Sequence, residues 1–365
     1  MFLVFIKPFK VSGQMKIKLG ELFCGPGGLA LGAHMVNDSN FIHAWAVDNH
    51  IETCMTYTKN IPGASNHSVI CKDVREINIS DLRDISDIDG FAYGFPCNDY
   101  SSVGERKGID GEFGPLYKHG LKIIDNFNPK FFVAENVGGI RSANEGKTLL
   151  KIIGDLSSAG SGYVITPHLY KFEEYGVPQA RHRLIMVGMR KDLNLIFKPP
   201  MPTHLNNFIT CAEAISNPPL GSHSLNHDLT NQHPRVVERL KHIKPGQNAW
   251  NADLPEHLKL NVSGARISQI YKRLDPNKPA YTITGSGGGG THVYHWRENR
   301  ALTNRERARL QTFPDEFMFI GSKESIRRQI GMAVPPLGAK VIFEAILKLL
   351  QNISYETTDS NFNLR

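Results

Sequence analysis

The order of apolar runs and turn signals in this 365-residue chain predicts a doubly wound α/β large domain followed by a smaller, irregular mixed α/β domain. Three observations carry that prediction. Short apolar runs alternate with helical patterns from residue 16 to about 190. A glycine-rich turn follows the first run and opens a helix. After Arg190 the periodicity dissolves into a stretch rich in Pro, Asn, His and Gly, and it returns near residue 303.

The strands read in order are Lys18–Phe23, His43–Val47, Gly90–Tyr93, Lys130–Ala134 and Leu184–Gly188, with a short one before Asp73. Gly120–Asp125 and Leu149–Ile153 are helical patterns lying between them. Lys198-Pro199-Pro200-Met201-Pro202 breaks regular structure, and Ala280–Thr284 is a short strand of the second domain. Thr303-x-x-Glu306 is a capping box, opening a helix that stops before Pro314. A last helix follows Pro335-Pro336, with Val341, Ile342, Ala345, Ile346, Leu349 and Leu350 on one face. Such a face needs a core to cover, so the chain is expected to return to its first domain. The expected division is 15–189 plus 326–353 for the large domain and 190–302 for the small one. Residues 303–325 read as a hinge, with extensions at 1–14 and 354–365, and the polar tail after Ile353 is expected to fray.

Composition sets bounds. Cys24, Cys54, Cys71, Cys97 and Cys211 are scattered with no Cys-x-x-Cys pair, which argues against a disulfide framework and a metal site and suits a reducing cytoplasm. No stretch is expected to span a membrane, and the apolar Met1–Ile6 run stops at Lys7-Pro8. The formal charge of +7 is uneven. Residues 191–302 hold 13 Lys+Arg against 8 Asp+Glu, which suits either a polyanion partner or a merely soluble basic surface.

Chemistry gathers at strand ends. Phe23-Cys24-Gly25-Pro26-Gly27-Gly28 lets backbone approach a ligand at a helix N-terminus, without the Gly-Lys-Ser/Thr of a phosphate loop. Asp48 ends the next strand, where an acid can bind a ribose hydroxyl pair, and Asp73 follows a third strand and could accept from an adenine amino group. Each acid alone is an ordinary loop residue; the ordered set points to an adenosyl ligand without a pyrophosphate. Cys97, after Pro96 at the end of Gly90–Tyr93, is either a small buried hydrophobe or a thiolate nucleophile. Glu135 ends another strand and could protonate a ring nitrogen beside it. Arg181 and Arg183 alternate to the same side and suit a base carbonyl or phosphate.

Taken together, Phe23-x-Gly25-x-Gly27-Gly28, Asp48, Asp73, Pro96-Cys97, Glu135-Asn136-Val137 and Gln179-x-Arg181-x-Arg183 form an ordered series. It continues through Arg273-Leu274, Pro279-x-Tyr281-Thr282-Ile283-Thr284, Arg305-Glu306-x-Ala308-Arg309-Leu310-Gln311-x-Phe313-Pro314 and Gly331–Pro335. In this order the chain resembles the cytosine carbon-5 DNA methyltransferases, typified by the modification enzymes of bacterial restriction–modification systems. The resemblance spans nearly the whole chain. It implies a Rossmann-like S-adenosylmethionine-binding domain, a target-recognition domain, and double-stranded DNA between them with the target cytosine flipped out. By resemblance, Cys97 attacks carbon 6, Glu135 protonates N3, Arg183 and Arg181 hold the base region, and no metal takes part. The cofactor would lie against Phe23, Gly25, Gly27, Gly28, Asp48, Asn49, Asp73, Val74, Pro96, Leu116, Met332 and Val334. The loop from Asn98 to Phe113 would close over DNA, with Asn98, Ser101 and Arg106 among its contacts. Arg235, Arg266 and Arg273 are further candidates, beside Arg239, Ser268, Gln269 and Lys272. Gly285–Gly290 either lets backbone lie on DNA or acts as a hinge. A monomer is expected, working beside a cognate endonuclease without a stable complex.

Asn98 stands where the family usually has Gln, Tyr100 where it has Phe, and Met332 where it has Asn. None of these removes a catalytic group. Competing readings are a tRNA cytosine methyltransferase, a catalytically silent DNA-binding relative, and another transferase on the same cofactor fold. The first lacks its usual Cys-Phe-Thr tripeptide here, and the second would predict loss of Cys97, Glu135 or Arg183.

Overall fold

A computed structural model describes residues 15–36, 40–95, 116–141, 143–261, 267–285, 287 and 290–362. The large sheet is seven-stranded, in the order β3-β2-β1-β4-β5-β8-β6. These strands are β1 (Ile17–Leu22), β2 (Phe41–Asp48), β3 (Val69–Cys71), β4 (Gly90–Gly94), β5 (Phe131–Val137), β6 (Tyr163–Lys171) and β8 (His182–Arg190). Strands β1 to β5 pair in parallel, and β8 runs antiparallel to both β5 and β6. The strand order reverses between β1 and β4, and a ligand crevice opens at the carboxyl ends of strands at such a point.

Helices cover both faces of the sheet. On one side Trp45, Phe91, Tyr93 and Phe132 pack under α3 (Ile79–Ile85), α4 (Tyr117–Phe127) and α5 (Lys147–Ser158). On the other, Phe41, Phe131, Ile185 and Val187 pack against α1 (Gly28–His34) and α10 (Pro336–Leu350). There Ile342, Ala345 and Ile346 are buried, so the final helix returns to the first sheet as its apolar face required. It sits close on α1, because a Cβ on Gly32 would lie 2.4 Å from that of Ala339. Lys323–Leu350 is long and apolar enough by composition to cross a membrane, contrary to the sequence expectation, yet 72% of its most apolar window is buried in the protein. It holds α9 (Lys323–Met332) and α10, separated by Ala333–Pro335.

Tertiary packing organises the segment after Arg190 more than its weak periodicity suggested. It contains α6 (Cys211–Ser216), whose N-cap Thr210 forms a full capping box with Glu213, and α7 (Pro234–Lys241). The expected strand at Ala280–Thr284 shortens to β9 (Ala280–Tyr281), paired in parallel with β7 (Gln179–Ala180). The predicted capping box at Thr303 and Glu306 does open a helix, α8 (Asn304–Leu310). The supposed hinge is tied to α2 (Ile51–Asn60) rather than swinging free: Asn60 exchanges hydrogen bonds with the Met318 backbone, and Ile320 N–H donates to the Thr56 hydroxyl at 2.9 Å.

Two further readings are corrected. Strand β6 escapes the sequence because Pro167 interrupts it. Proline is tolerated on an edge strand, and β6 is one. The tail after Ile353 is pinned, not frayed. Tyr355 Oη donates to the Lys198 carbonyl, and Asn361 takes both backbone groups of Leu169 on that same edge at 2.8 and 2.9 Å. It supplies hydrogen bonds the edge strand would otherwise take from water.

Candidate active site

The turn between β1 and α1 is built on positive φ. Phe23 (φ 53°), Gly25 (φ 55°) and Gly27 (φ 98°) each sit in the left-handed region. For Phe23 this is sparsely populated backbone, held because Cys24 N–H donates to Val47 O and Gly25 N–H to Asp48 Oδ2 at 2.9 Å. Gly28 is required by contact: a Cβ there would lie 2.2 Å from the Val334 carbonyl oxygen. The turn thus lies flat against the loop between α9 and α10, and a cavity of about 470 Å³ opens beside it.

That volume is in the range of small-molecule sites. Phe23, Gly25, Gly28, Asp48, Asn49, Asp73, Val74, Leu116, Met332 and Val334 all line it, as expected from the sequence. Gly27 does not; its place is structural, since a Cβ there would strike Ile61 at 2.8 Å. Cys24, His50, Lys72, Arg75, Phe95 and Asn136 line it as well. Burial raises the Asp48 pKa, opposed by the backbone N–H groups of His50 and Gly25. Asp73 is the reverse. The Arg75 guanidinium clamps it at 2.7 to 2.9 Å and, with Arg75 N–H, holds its pKa down to about 2. Two acids of different environment, glycine backbone and the apolar Phe23, Val74 and Leu116 form a surface that fits a nucleoside.

The same cavity is also lined by Glu135, Arg181 and Arg183. Glu135 lies two residues before the end of β5, and its Oε1 accepts from Arg183 Nε at 2.9 Å, with both side chains largely shielded from water. Arg181 is 1% exposed; its Nη1 donates to Ile283 O at 3.1 Å, and its Nε has no partner among the described residues. Burial lowers the pKa of both arginines. Arg183 adds to the effect at Arg181, and Glu135 opposes it at Arg183. The predicted alternation therefore does bring Arg181 and Arg183 into one cavity beside Glu135. Asn136 Nδ2 donates to Phe95 O at 3.1 Å and locks the end of β4 to the end of β5. The sequence contained Asn136 within its motif but gave no sign of that positioning bond. Gln179 is likewise buried, bridging Ile283 N–H, Leu310 O and Gln311.

Pro96, Cys97, Asn98, Ser101, Arg106 and Arg266 lie outside the described residues. Among the other expected DNA contacts, Arg235 is exposed on α7, with Nη2 on the His257 carbonyl. Arg273 is a correction. It is 5% exposed and donates to the carbonyls of Leu240, Ile243, His295 and Glu298 and to Asn299. It is a buried polar hub for the surrounding loops and has no face for DNA. Arg239 is buried too, with Nε on Leu258 O and its guanidinium over Tyr271. Lys272 lies over the Tyr281 ring. Among the described residues, no group of His, Cys, Asp or Glu is arranged to hold a metal ion.

A family profile described as C-5 cytosine-specific DNA methylase matches residues 17–348. The chain is 56% identical over 359 residues to the Type II methyltransferase M.BbvI of Brevibacillus brevis, covering 96% of each chain. It is 40% identical to M.NgoFVII of Neisseria gonorrhoeae, covering 95% of this chain and 91% of that one. Among solved structures it is similar to a prophage-encoded Escherichia coli chain described as a candidate DNA modification methyltransferase. The TM-score is 0.71 at 25% identity, over 92% of this chain and all of that one. The methyltransferase Dnmt2 of Schizosaccharomyces pombe shares the fold, with a TM-score of 0.55 at 15% identity over 92% of this chain and 99% of that one. The chain belongs to the C-5 cytosine-specific DNA methylase family and is a DNA (cytosine-5-)-methyltransferase.

Proposed function

We propose that the chain methylates carbon 5 of a flipped cytosine within a short specific sequence of duplex DNA, drawing the methyl group from S-adenosylmethionine. The observation that carries this reading is the single cavity joining the Gly25–Asp48–Asp73 surface to the Glu135–Arg183 pair. When bound, the cofactor supplies an electrophilic methyl group on a sulfonium. Asp48 would hold its ribose and Asp73 its adenine amino group, with Phe23, Val74, Leu116 and Val334 as apolar walls and Gly25 and Gly28 as close backbone.

Strand β4 ends at Gly94, level with Glu135 across the sheet. Cys97 follows Phe95 by two residues, within about 7 Å of chain. Its thiolate forms a bond to carbon 6 while Glu135 donates a proton to N3. Protonation draws the electron pair into the ring, and carbon 5 becomes the nucleophile. Arg183 holds Glu135 and the base carbonyl region, and Arg181 backs it from below. Methyl transfer would leave S-adenosylhomocysteine; water or hydroxide then takes the carbon-5 proton, the double bond re-forms as the Cys97 thiolate leaves, and the N3 proton returns to Glu135.

The Type II names of its relatives support a modification enzyme. Pairing with a cognate endonuclease, a cytoplasmic location and a monomeric state are part of the same proposal. A large domain of 15–189 plus 326–353 would hold the cofactor, and 190–302 would read the sequence, with Arg235 a contact. Asn98, Ser101, Arg106 and Arg266 would add contacts from the loops that carry them.

Bisulfite sequencing of a plasmid co-expressed with the protein tests this, with Cys97→Ala as control. Protection at one repeated motif, absent in the control, is expected. Protection persisting in Cys97→Ala would overturn the covalent mechanism, and none in the wild type would overturn the DNA substrate and make tRNA the next one tried.

A further inference from the structure

Arg307 lies on α8 with 1% of its surface exposed, and among the described residues its Nη1 and Nη2 have no hydrogen-bond partner. The adjacent acid cannot serve it. The Glu306 carboxylate is taken by Arg300 at 2.7 and 2.8 Å and by Thr303 N–H at 2.7 Å. Arg327, on α9, is a second cation near it; its Nε is also buried without a partner, and its Nη2 donates to Gly287 O at 3.2 Å. His292 stands in the field of both and, pushed down to about 4 by burial, is neutral near pH 7. Burial lowers Arg307 only to about 10, so it stays charged.

Among the described residues, these two neighbouring guanidiniums have no acid committed to them. A buried charge left unpaired costs several kcal/mol. Glycine backbone packs close to this pair. A Cβ on Gly287 would lie 2.6 Å from Arg327 Nε, and one on Gly331 would lie 2.0 Å from Gly285 N. The site borders the catalytic cavity: Ile283, just upstream, holds Arg181, and Gly331, one turn along α9 from Arg327, lines the cavity.

We propose that Arg307 and Arg327 form the seat of one phosphate of the bound DNA duplex, with Arg327 contacting it and Arg307 supplying positive potential from beneath. A phosphate there supplies the missing counter-charge, and it would anchor the duplex beside the cavity. The assignment rests on the duplex substrate proposed above.

The test is duplex binding by Arg327→Gln and Arg307→Met across a salt series, with cofactor affinity and melting temperature measured alongside. Each variant is expected to bind about tenfold more weakly at low salt. Each should also lose about 0.9 from the slope of log K against log salt, the value of one phosphate contact. Cofactor affinity should hold. The melting temperature of Arg307→Met should equal or exceed that of the wild type, because it sheds an unpaired charge. A purely structural Arg307 would lower it. Unchanged slopes in both variants of an otherwise active enzyme overturn the seat. Inorganic phosphate at matched ionic strength is the second arm: a wild-type melting rise that Arg307→Met loses, with slopes unchanged, assigns the seat to a free anion instead. If Arg307→Met does not fold, the partly exposed Arg327→Gln decides alone. A wild type that neither binds nor methylates duplex fails at the functional reading itself.

Discussion

Glu21 offers a sharp test of the electrostatics beneath the cofactor turn. It lies on β1, 1% exposed, with Oε2 accepting from Tyr57 Oη at 2.9 Å and Oε1 without a partner among the described residues. Burial raises its pKa from 4.5 to about 8; Tyr57 opposes the rise and Asp48 adds to it. In the unfolded chain the carboxyl ionises near its ordinary value, while in the fold it stays protonated. Stability from this group is full below pH 4.5 and is lost as pH rises toward 8. At about 1.4 kcal/mol per pH unit of mismatch, the loss is about 3 kcal/mol by pH 7 and about 5 kcal/mol above pH 8. Glu21→Gln keeps an acceptor for Tyr57 and cannot ionise. Urea denaturation at pH 5, 7 and 8.5 should give nearly equal stability at the lowest pH and a growing advantage for the variant above it. His43, depressed to about 4 by burial, costs stability as pH falls from 6.5, but equally in both proteins. Parallel pH profiles for wild type and variant would refute the reasoning.

Other outcomes follow from the site. Glu135→Gln should lower the methylation rate about 10²-fold or more by removing the proton donor, with cofactor affinity kept; single-turnover kinetics and calorimetry separate the two. Gly28→Ala should raise the cofactor dissociation constant about tenfold or more, since its Cβ must displace the Val334 carbonyl now 2.2 Å away; calorimetric titration reads this directly. Ending the chain at Ile353 removes the Tyr355, Thr358 and Asn361 hydrogen bonds, and should destabilise the fold by about 3 kcal/mol in urea denaturation.

Much of the site was legible because its signals are local. Glycines at Gly25 and Gly27 mark positive φ, acids at strand ends mark a crevice, and Thr303-x-x-Glu306 marks a helix start. Alternation alone placed Arg181 and Arg183 on one side, and both reached the cavity. Edge strand β6 was not legible, because Pro167 breaks the pattern that an edge position permits. Nor were α6 and α7 after Arg190, each too short for periodicity to speak.

What the sequence by itself determined was the α/β order, the cofactor turn, the return of the last helix and the family. What only the tertiary structure decided was the fate of each arginine. Arg273 and Arg239 looked like surface contacts for DNA and are scaffold, their donors satisfied by carbonyls from segments far along the chain. Arg307, which no sequence signal marks, is a buried charge whose Nη1 and Nη2 have no partner among the described residues. A guanidinium is satisfied by any ring of oxygens at the right distance. Which oxygens arrive there depends on how distant loops pack, and no local pattern encodes that.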